Sequence, residues 1–348
     1  MKRAHHRLEA FQRPARVSVV IPCYNYARYL PQSVGSALAQ EDVDVDVVIV
    51  DDASTDDSVA VAERFASTDP RVRLVRHERN RGHVETSNEA LGLATAEFMV
   101  KLDADDLLTP GSLARAAALM SRHPEVVLTY GFPHRFRGEP PRDVPTQVRS
   151  WSIWSGEEWL RKVLGHGHNV IMQPEVMLRR SAVHASGGYR PQLRWAEDYN
   201  LWLRLATVGS IGRVNGPTQG LYRVHDASFQ RSSSNDIELT DLKARISAVE
   251  LFFAECGERL RDHQRMSDLA FAALARDARR LLACAAERGR DSAADEFADL
   301  AVRLERRLAG APSRAVFAGL LARRGALGRA CRDLAGRVNW HRWARYGI

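Results

Sequence analysis

The hydrophobic pattern of the first half of the chain alternates between two periods. Five short apolar runs, rich in valine and isoleucine, have the length and composition of buried strands: Val17–Pro22, Val45–Val50, Val72–Arg76, Phe98–Leu102 and Val126–Tyr130. The segments between them repeat their apolar residues every three to four positions, which predicts helices: Tyr29–Gln40, Asp57–Ser67, Glu85–Thr95 and Ser112–Arg122. Strands that alternate with helices in this way predict an α/β domain around a mostly parallel sheet.

The second half of the chain carries a weaker pattern. Gly131–Arg149 is rich in proline, arginine and glycine, which predicts a long loop. Five further elements are predicted as helices or short strands: helices Gly156–Leu164 and Glu197–Thr207, and strands Glu175–Arg179, Ile211–Val214 and Leu221–His225. Asp226–Asp236 is polar and serine-rich, and the composition beyond it predicts helices. The predicted organisation is an N-terminal extension (residues 1–15), an α/β domain (16–235) and a helical, arginine-rich region (236–348).

Charge changes this picture at the C-terminal end. The net charge is +7, and residues 301–348 hold eleven arginines against two acids, or +9, which leaves about −2 for the preceding 300 residues. Because these arginines are interleaved with Ala and Leu at helical spacing, a solvated helix face is favoured and no nucleic-acid partner is expected. The alternative is peripheral membrane contact through an amphipathic helix around Ala315–Ala322.

Cysteine usage and the N-terminus indicate the compartment. The four cysteines are widely spaced and form no CxxC pair, which is typical of a reducing environment. The first residues are basic but lack the apolar core of a signal peptide, and no run approaches the roughly 20 apolar residues that span a bilayer. The sequence therefore predicts a cytoplasmic protein, with membrane association on the cytoplasmic face left open.

Polar residues follow three of the predicted strands. These strand ends are Cys23-Tyr24-Asn25, Asp51-Asp52 and Asp103-Ala104-Asp105-Asp106. Because ligands of open α/β sheets bind at the carboxyl ends of the strands, the three ends predict one site. The three crowded acids of the last one repel each other, so we expect a compensating positive charge, and a bound cation is the first candidate.

Two acidic motifs carry the candidate chemistry. The Asp-x-Asp pair, Asp103 and Asp105, offers hard oxygen ligands that suit Mg²⁺ or Mn²⁺, although acids also cap helix starts such as the one near Gly111. Glu197-Asp198 opens a predicted helix. There the pair either complements the helix dipole or supplies a general base.

Taken in chain order, five blocks closely resemble the family 2 glycosyltransferases. The blocks span residues 16–228, about 60% of the chain: VSVVIPCYNYARYLPQSVGSAL, VVIVDDASTDDS, NRGHVETSNEALGLATAEFMVKLDADDLLTPGSL, GGYRPQLRWAEDYNLWLRLA and YRVH. The resemblance implies a GT-A fold and transfer of a sugar from a nucleotide-diphosphate donor, most commonly UDP-linked in relatives, with inversion of configuration. The implied acceptor is a glycan, a lipid-linked molecule or a small molecule.

The resemblance also implies roles for matching residues. Seven would bind the nucleotide-sugar, with Asp52 on the base: Pro22, Tyr24, Asn25, Asp52, Arg81, Asp103 and Ala104. Trp195 and Glu197 would lie on the side of the acceptor and the donor sugar. Asp105, together with His225, would bind Mg²⁺ or Mn²⁺, and Asp198 would be the general base.

Two details of these blocks affect the expected site. Arg223, in the YRVH block, is expected to contact the diphosphate or the metal. Many relatives carry an arginine before the asparagine of the helix after the third strand, whereas Ser87 precedes Asn88 here. That helix is expected to lack one polar contact, which leaves the catalytic assignment intact.

Two other functions share parts of the pattern. Phosphatases of the haloacid dehalogenase type also place Asp-x-Asp after a strand, but their motif lies on the first strand and continues with Thr or Val, where Leu107 stands here. A non-catalytic sugar-nucleotide or glycan-binding module of the same fold is the second alternative. The intact acids at 103, 105, 197 and 198 favour an enzyme over that module.

Overall fold

The computed structural model describes residues 2–4, 14–225 and 236–308. Its strands are β1 (Lys2–Ala4), β2 (Ala15–Cys23), β3 (Val43–Asp51), β4 (Val72–Arg76), β5 (Phe98–Lys101), β6 (Leu107–Leu108), β7 (Val126–Tyr130), β8 (Pro133–Phe136), β9 (Ser150–Trp154), β10 (Met177–Arg179), β11 (Ser210–Asn215) and β12 (Gly220–Arg223). Its helices are α1 (Leu30–Leu38), α2 (Ser58–Thr68), α3 (His83–Leu93), α4 (Ser112–Arg122), α5 (Gly156–His166), α6 (Arg180–Ser186), α7 (Glu197–Leu205), α8 (Ile237–Cys256), α9 (His263–Glu287) and α10 (Asp291–Glu305).

Nine strands form one sheet, in the order β1-β9-β11-β7-β10-β5-β2-β3-β4. The pairs β5-β2, β2-β3 and β3-β4 are parallel, as is β11-β7. Only β9 and β10 run opposite to the other seven described strands, because every antiparallel pair involves one of them. The predicted α/β fold with a mostly parallel sheet is confirmed, and the carboxyl ends of β2, β3 and β5 lie side by side.

The core is built on the central strands, whose valine and isoleucine side chains are buried on both faces of the sheet. In β2 the residues from 17 to 23 are all buried, and in β3 those from 47 to 51 are. This explains why both strands appear in the sequence as unbroken apolar runs rather than as alternating ones. Trp151, Trp154 and Trp159 are at most 3% exposed, so they pack in the interior.

Two predictions for the second half are wrong. The predicted loop 131–149 contains β8, which pairs in parallel only with β12 in a small three-stranded sheet, β6-β12-β8. As an edge strand β8 begins at Pro133 and exposes its two middle residues, so it lacks the apolar run of a central strand. The seven-residue helix α6 also has no counterpart among the predicted elements.

The chain divides into two compact units: residues 1–159 with 171–233, and residues 160–170 with 234–348. The second unit holds α8, α9 and α10, and a buried ion pair between Arg245 and Asp277 at 2.7 Å joins α8 to α9. Arg245 also donates to the carbonyl of Gly167, which explains why residues 160–170 group with these helices rather than with the α/β unit, to which the sequence analysis assigned them.

No helix within the described residues is long and apolar enough to cross a membrane. Two segments named in the sequence analysis fall outside the described residues. They are residues 226–235 of the serine-rich segment and the amphipathic stretch 315–322.

Candidate active site

The loops after β2 and β3 are locked together through one asparagine. Asn25 has φ +60°, and its side-chain oxygen accepts hydrogen bonds from the backbone N–H of Thr55 at 2.8 Å and of Asp56 at 3.3 Å. Its own backbone N–H donates to Ser54 Oγ at 2.9 Å. The neighbouring Tyr24 is left 43% exposed at the sheet edge. Asn25 therefore acts on the loop, while Tyr24 presents a ring to solvent.

Asp52 lies just past β3 and is only 2% exposed. Its carboxylate accepts from the backbone N–H of Arg81 at 2.8 Å and of Gly82 at 2.9 Å, and it lies 2.7 Å from His77 Nδ1. Burial alone would raise the pKa of Asp52, but the donors from Arg81, His77 and Gly82 hold it below its ordinary value. The carboxylate thus fixes the loop before α3, and its contact with a base stays a prediction.

His77 is a site residue that the sequence analysis missed. Its side chain is 1% exposed and joins two carboxylates, Asp52 through Nδ1 and Glu89 through Nε2 at 3.0 Å. Glu89 in turn pairs with the Arg81 guanidinium at 2.8 Å. The available signal was a histidine directly after the third predicted strand. Its role depends on partners 25 and 12 positions away, which spacing does not reveal.

The three crowded acids after β5 each have a different partner from the chain itself. Asp103 Oδ1 lies 2.5 Å from Lys101 Nζ. Asp105 Oδ2 lies 2.9 Å from His225 Nε2, and Asp106 Oδ1 accepts the backbone N–H of Arg223 at 2.8 Å. Lys101 therefore supplies positive charge beside Asp103 from within the protein, whereas Asp105 is paired with an imidazole and Asp106 with a backbone N–H.

The surroundings separate these acids electrostatically. For Asp103, burial raises the pKa, but Lys101 and then His83 outweigh it and hold the value below the ordinary one. For Asp106, burial and the charges of Asp105 and Asp103 raise the pKa well above its usual range. The surroundings thus stabilise the ionised form of Asp103 and disfavour that of Asp106.

Asp105 and His225 are the residues that could hold a divalent ion. Their facing atoms are 2.9 Å apart, and the His225 ring packs 4.8 Å from the Tyr29 ring, which fixes its direction. Across residues 2–4, 14–225 and 236–308, no three His, Cys, Asp or Glu side chains form a ready metal cluster. A carboxylate and an imidazole are both ligand types that could hold a divalent ion at this position.

Arg223 has a role other than the expected one. Its guanidinium lies between the rings of Tyr29 and Phe136, at 4.7 and 4.5 Å from their centroids. It donates to the backbone carbonyls of Asp105 and Gly138, both at 2.8 Å, and the residue is 4% exposed. The expectation that Arg223 contacts a diphosphate is wrong, because its guanidinium is buried and donates to the protein.

Ala104 and Pro22 are buried parts of the sheet. The Ala104 methyl group is 2% exposed and packs in the main hydrophobic cluster, and Pro22 lies within β2 opposite Val50 of β3. Contact of the Ala104 side chain with a nucleotide is therefore excluded, and the predicted contact could come only from its backbone.

The start of α7 carries the second acidic pair. Glu197 and Asp198 lie in the first turn, where the helix dipole favours their ionised forms, and Trp195 precedes them half-buried. Asp198 Oδ1 accepts the backbone N–H of Tyr199 at 2.6 Å. Glu197 Oε1 lies 3.4 Å from His83 Nε2 at the start of α3.

The end of β5 and the start of α7 share two basic neighbours. His83 Nε2 lies 3.4 Å from Glu197 Oε1 and interacts electrostatically with Asp103, and Lys101 interacts with the same two acids. The carboxyl end of β5 and the amino end of α7 are therefore close in space, whereas Asp52 and Arg81 lie on the side of β3 and α3. A common site for the residues at 103, 105, 197, 198 and 225 stays a prediction.

Comparison with known proteins identifies the family. The model for glycosyl transferase family 2 matches residues 18–187. The protein EpsE of Bacillus subtilis (strain 168) is 30% identical over 226 residues, which cover 63% of this chain and 76% of EpsE. The chondroitin synthase of Escherichia coli is 28% identical over 57% of this chain, but the chain matches only 28% of that protein's length. The chain belongs to glycosyl transferase family 2, as the sequence analysis predicted.

Solved structures support the same fold. Residues 1–349 of Staphylococcus aureus TarS in complex with UDP-GlcNAc align with a TM-score of 0.52 and 16% identity, over 85% of this chain and 93% of that one. The mannosyltransferase PcManGT from Pyrobaculum calidifontis, in complex with GDP-Man and Mn²⁺, aligns with a TM-score of 0.52 and 19% identity, over 84% and 88%. At these identities the likeness shows the fold, which confirms the expected GT-A type.

Proposed function

We propose that this chain is an inverting glycosyltransferase that moves a sugar from a UDP-linked donor to an acceptor hydroxyl, with Asp198 as the general base. The observation that supports this most is that His83 and Lys101 link the acidic end of β5 to the first turn of α7. Such a reaction needs an acid that faces the donor and an acid that accepts a proton, and in this proposal Asp103 and Asp198 supply them from these two ends.

The donor would bind along the carboxyl ends of β2, β3 and β5. Tyr24 offers an exposed ring for the base, and Asp52 with Arg81 forms the polar wall beside it. Asp103 would face the ribose and the donor sugar. Two solved structures of this fold contain UDP-GlcNAc and GDP-Man, which supports a nucleotide-sugar donor here. Because their bases differ, the proposal of UDP rests on the sequence resemblance.

Asp105 and His225 would hold Mg²⁺ or Mn²⁺ at the end of β5. A bound divalent ion supplies positive charge that stabilises the leaving nucleoside diphosphate. The chain's own part is to orient the two ligands: Tyr29 packs on the imidazole, and Arg223 fixes the backbone at Asp105.

Asp198 would take the proton of the acceptor hydroxyl as its oxygen attacks the anomeric carbon. The new carbon–oxygen bond forms on the face opposite the diphosphate, and the old bond breaks with its electron pair going to the nucleoside diphosphate. One displacement inverts the configuration and needs no enzyme nucleophile. Glu197 and Trp195 would border the acceptor and the donor sugar. The acceptor is a glycan, a lipid-linked molecule or a small molecule.

The test begins with a panel of UDP-, GDP- and dTDP-sugars, read by thermal shift with Mn²⁺, because a specific donor raises stability by mass action. Donor hydrolysis is then measured with the sugar that gives the largest shift. We expect Asp198→Asn to keep that thermal shift and to lose turnover by at least about a hundredfold, the usual contribution of a general base. The matched control is Asp44→Asn, whose side chain is 64% exposed on β3.

Two results would change this assignment. Near wild-type turnover in Asp198→Asn would remove Asp198 as the base. Donor binding by the wild-type protein, with neither hydrolysis nor transfer to any tested acceptor, would favour the non-catalytic sugar-nucleotide-binding module.

A further inference from the structure

The side chains at the end of β5 alternate strictly between two environments. Those of Phe98, Val100, Leu102 and Ala104 all belong to the main hydrophobic cluster. Because side chains of an extended chain point alternately to opposite faces, Lys101 and Asp103 share the other face. The two-residue spacing is what brings the ammonium and the carboxylate together.

Lys101 is an unusual residue for this position. The chain has only 4 lysines among its 50 basic residues, the rest being arginine, and the side chain of Lys101 is 4% exposed. A buried ammonium costs several kcal/mol unless a partner compensates it. Its Nζ lies 2.5 Å from Asp103 Oδ1, and burial, which lowers the pKa of Lys101, is outweighed by the Asp103 charge. The lysine and the acid therefore depend on each other.

The surroundings of the pair extend to α7. Lys101 interacts with both Asp103 and Glu197, and the His83 imidazole, 3.4 Å from Glu197, lies near the same two acids. The lysine side chain is flexible and ends in a compact ammonium group, which can interact with both acids from a buried position. The planar guanidinium of an arginine is wider and requires more room. This gives a physical reason for a lysine here in a chain that otherwise uses arginine.

We infer that Lys101 is a positioning residue of the transferase site, which holds the Asp103 carboxylate in the orientation that faces the donor. The inference rests on the proposed function, in which Asp103 contacts the donor. Lys101 itself is too deeply buried to touch the substrate. Its contribution is to restrict Asp103 to one rotamer and to keep its charge balanced.

A double-mutant cycle tests this inference. The variants are Lys101→Met, Asp103→Asn and the double variant, and the measured quantities are the affinity for UDP with Mn²⁺ by calorimetry and KM and kcat for hydrolysis of UDP-GlcNAc. Lys101→Met is expected to weaken UDP binding roughly tenfold and to raise KM, because a carboxylate hydrogen bond to the ligand is lost. The double variant should bind no more weakly than Asp103→Asn alone.

Matched measurements separate positioning from simple destabilisation. A role in folding alone would lower the active fraction, and so kcat, without changing KM. Lys243→Met is the control, since Lys243 is half exposed and pairs with Glu296 in the helical unit. Urea unfolding of wild type, the two single variants and the double variant measures the interaction between Lys101 and Asp103 without any nucleotide. The double variant should be more stable than Asp103→Asn, which leaves the buried lysine without its acid.

Three outcomes overturn the inference. They are wild-type UDP affinity in Lys101→Met, losses of affinity that multiply in the double variant, and losses of stability that add. Each is distinguishable from failure of the proposed function, which would appear as absence of UDP binding in the wild-type protein or as full turnover in Asp198→Asn. Even if the proposed function fails, the urea unfolding of the four proteins still tests whether Lys101 and Asp103 stabilise each other.

Discussion

Individual acids of this protein differ more by their neighbours than by their type. Asp52 accepts several hydrogen bonds and Asp103 pairs with Lys101, whereas Glu175 is 3% exposed and its backbone donors are the N–H groups of Met172, at 3.0 Å, and of Gly131. Burial therefore raises the pKa of Glu175 to about 8 from 4.5, against weaker opposing effects of Met172, Arg213 and Gly131. Such a carboxyl keeps its proton at neutral pH.

The raised pKa of Glu175 makes stability depend on pH. Between 4.5 and about 8 the unfolded chain loses this proton while the folded chain retains it, so the stabilising contribution is complete below 4.5 and is lost as pH rises through about 8. We expect the free energy of unfolding of wild type, relative to Glu175→Gln, to fall by a few kcal/mol between pH 5 and 9. Urea unfolding at pH 5, 7 and 9 measures it, with exposed Glu41→Gln as control. A difference that stays constant with pH contradicts the prediction.

At the scale of elements, loops depend on contacts that join different strand ends. The β2–α1 loop is fixed to the β3–α2 loop by Asn25, and α3 is fixed to the turn before α7 by Asn88, which exchanges hydrogen bonds of 2.7 and 2.9 Å with the backbone of Tyr189. Asn88 makes these contacts although Ser87 precedes it. Two asparagines thus connect segments that are 30 and 101 positions apart.

Substitution of Asn25 separates the contribution of its side-chain hydrogen bonds from that of its left-handed backbone conformation. Asn25→Ala removes the accepted hydrogen bonds and forces a side chain with a Cβ into φ +60°, so we expect the free energy of unfolding to fall by about 2–4 kcal/mol. Asn25→Gly loses the same bonds but adopts that φ freely, so its loss should be about 1 kcal/mol smaller. Chemical denaturation compares the two, and equal stability of Asn25→Ala and wild type would show that the loop contact is not needed.

The elements that could be predicted from the sequence are those whose own residues are apolar enough to indicate a buried strand, or acidic enough to form a visible motif. The runs of β2, β3 and β5 are buried on both faces, and the acids after β5 and at the start of α7 are visible as motifs. Strand β8 escaped prediction because its pairing with β12, 87 positions later, decides its structure. Lys101 and His77 were not predicted because the burial of a basic side chain follows from tertiary packing, and no local pattern encodes it.

At the scale of the whole molecule, the helical unit has its own buried charge network. Arg245 and Asp277 are 4% and 5% exposed in their side chains, and His168 approaches the same carboxylate at 3.4 Å. Burial raises the pKa of Asp277, but His168, Arg245 and Arg280 outweigh it and hold the value well below the ordinary one. This network connects residues 167 and 168 to α8 and α9.

Loss of Asp277 should destabilise the helical unit selectively. Asp277→Ala removes the buried acid of Arg245, which keeps only the more exposed Asp241 at 2.8 Å, so we expect a cost of roughly 3 kcal/mol, the lower end for breaking a buried pair. We expect faster hydrogen exchange in α8 and α9, with protection of β2 and β3 unchanged. Glu296→Ala, which breaks a half-exposed pair with Lys243, should cost at most about 1 kcal/mol. Equal effects of the two substitutions would contradict the assigned role of Asp277.

The separate pairing of Asp103, Asp105 and Asp106 ties the acidic end of β5 to a distant part of the chain. Asp103 has its partner within β5, but the partners of Asp105 and Asp106 are His225 and the backbone of β12, 120 and 117 positions later. A structural zinc domain holds such side chains in place through its ion. Here the protein's own contacts hold them, so a substitution that loosens β12 would disturb two of the three acids without touching either one.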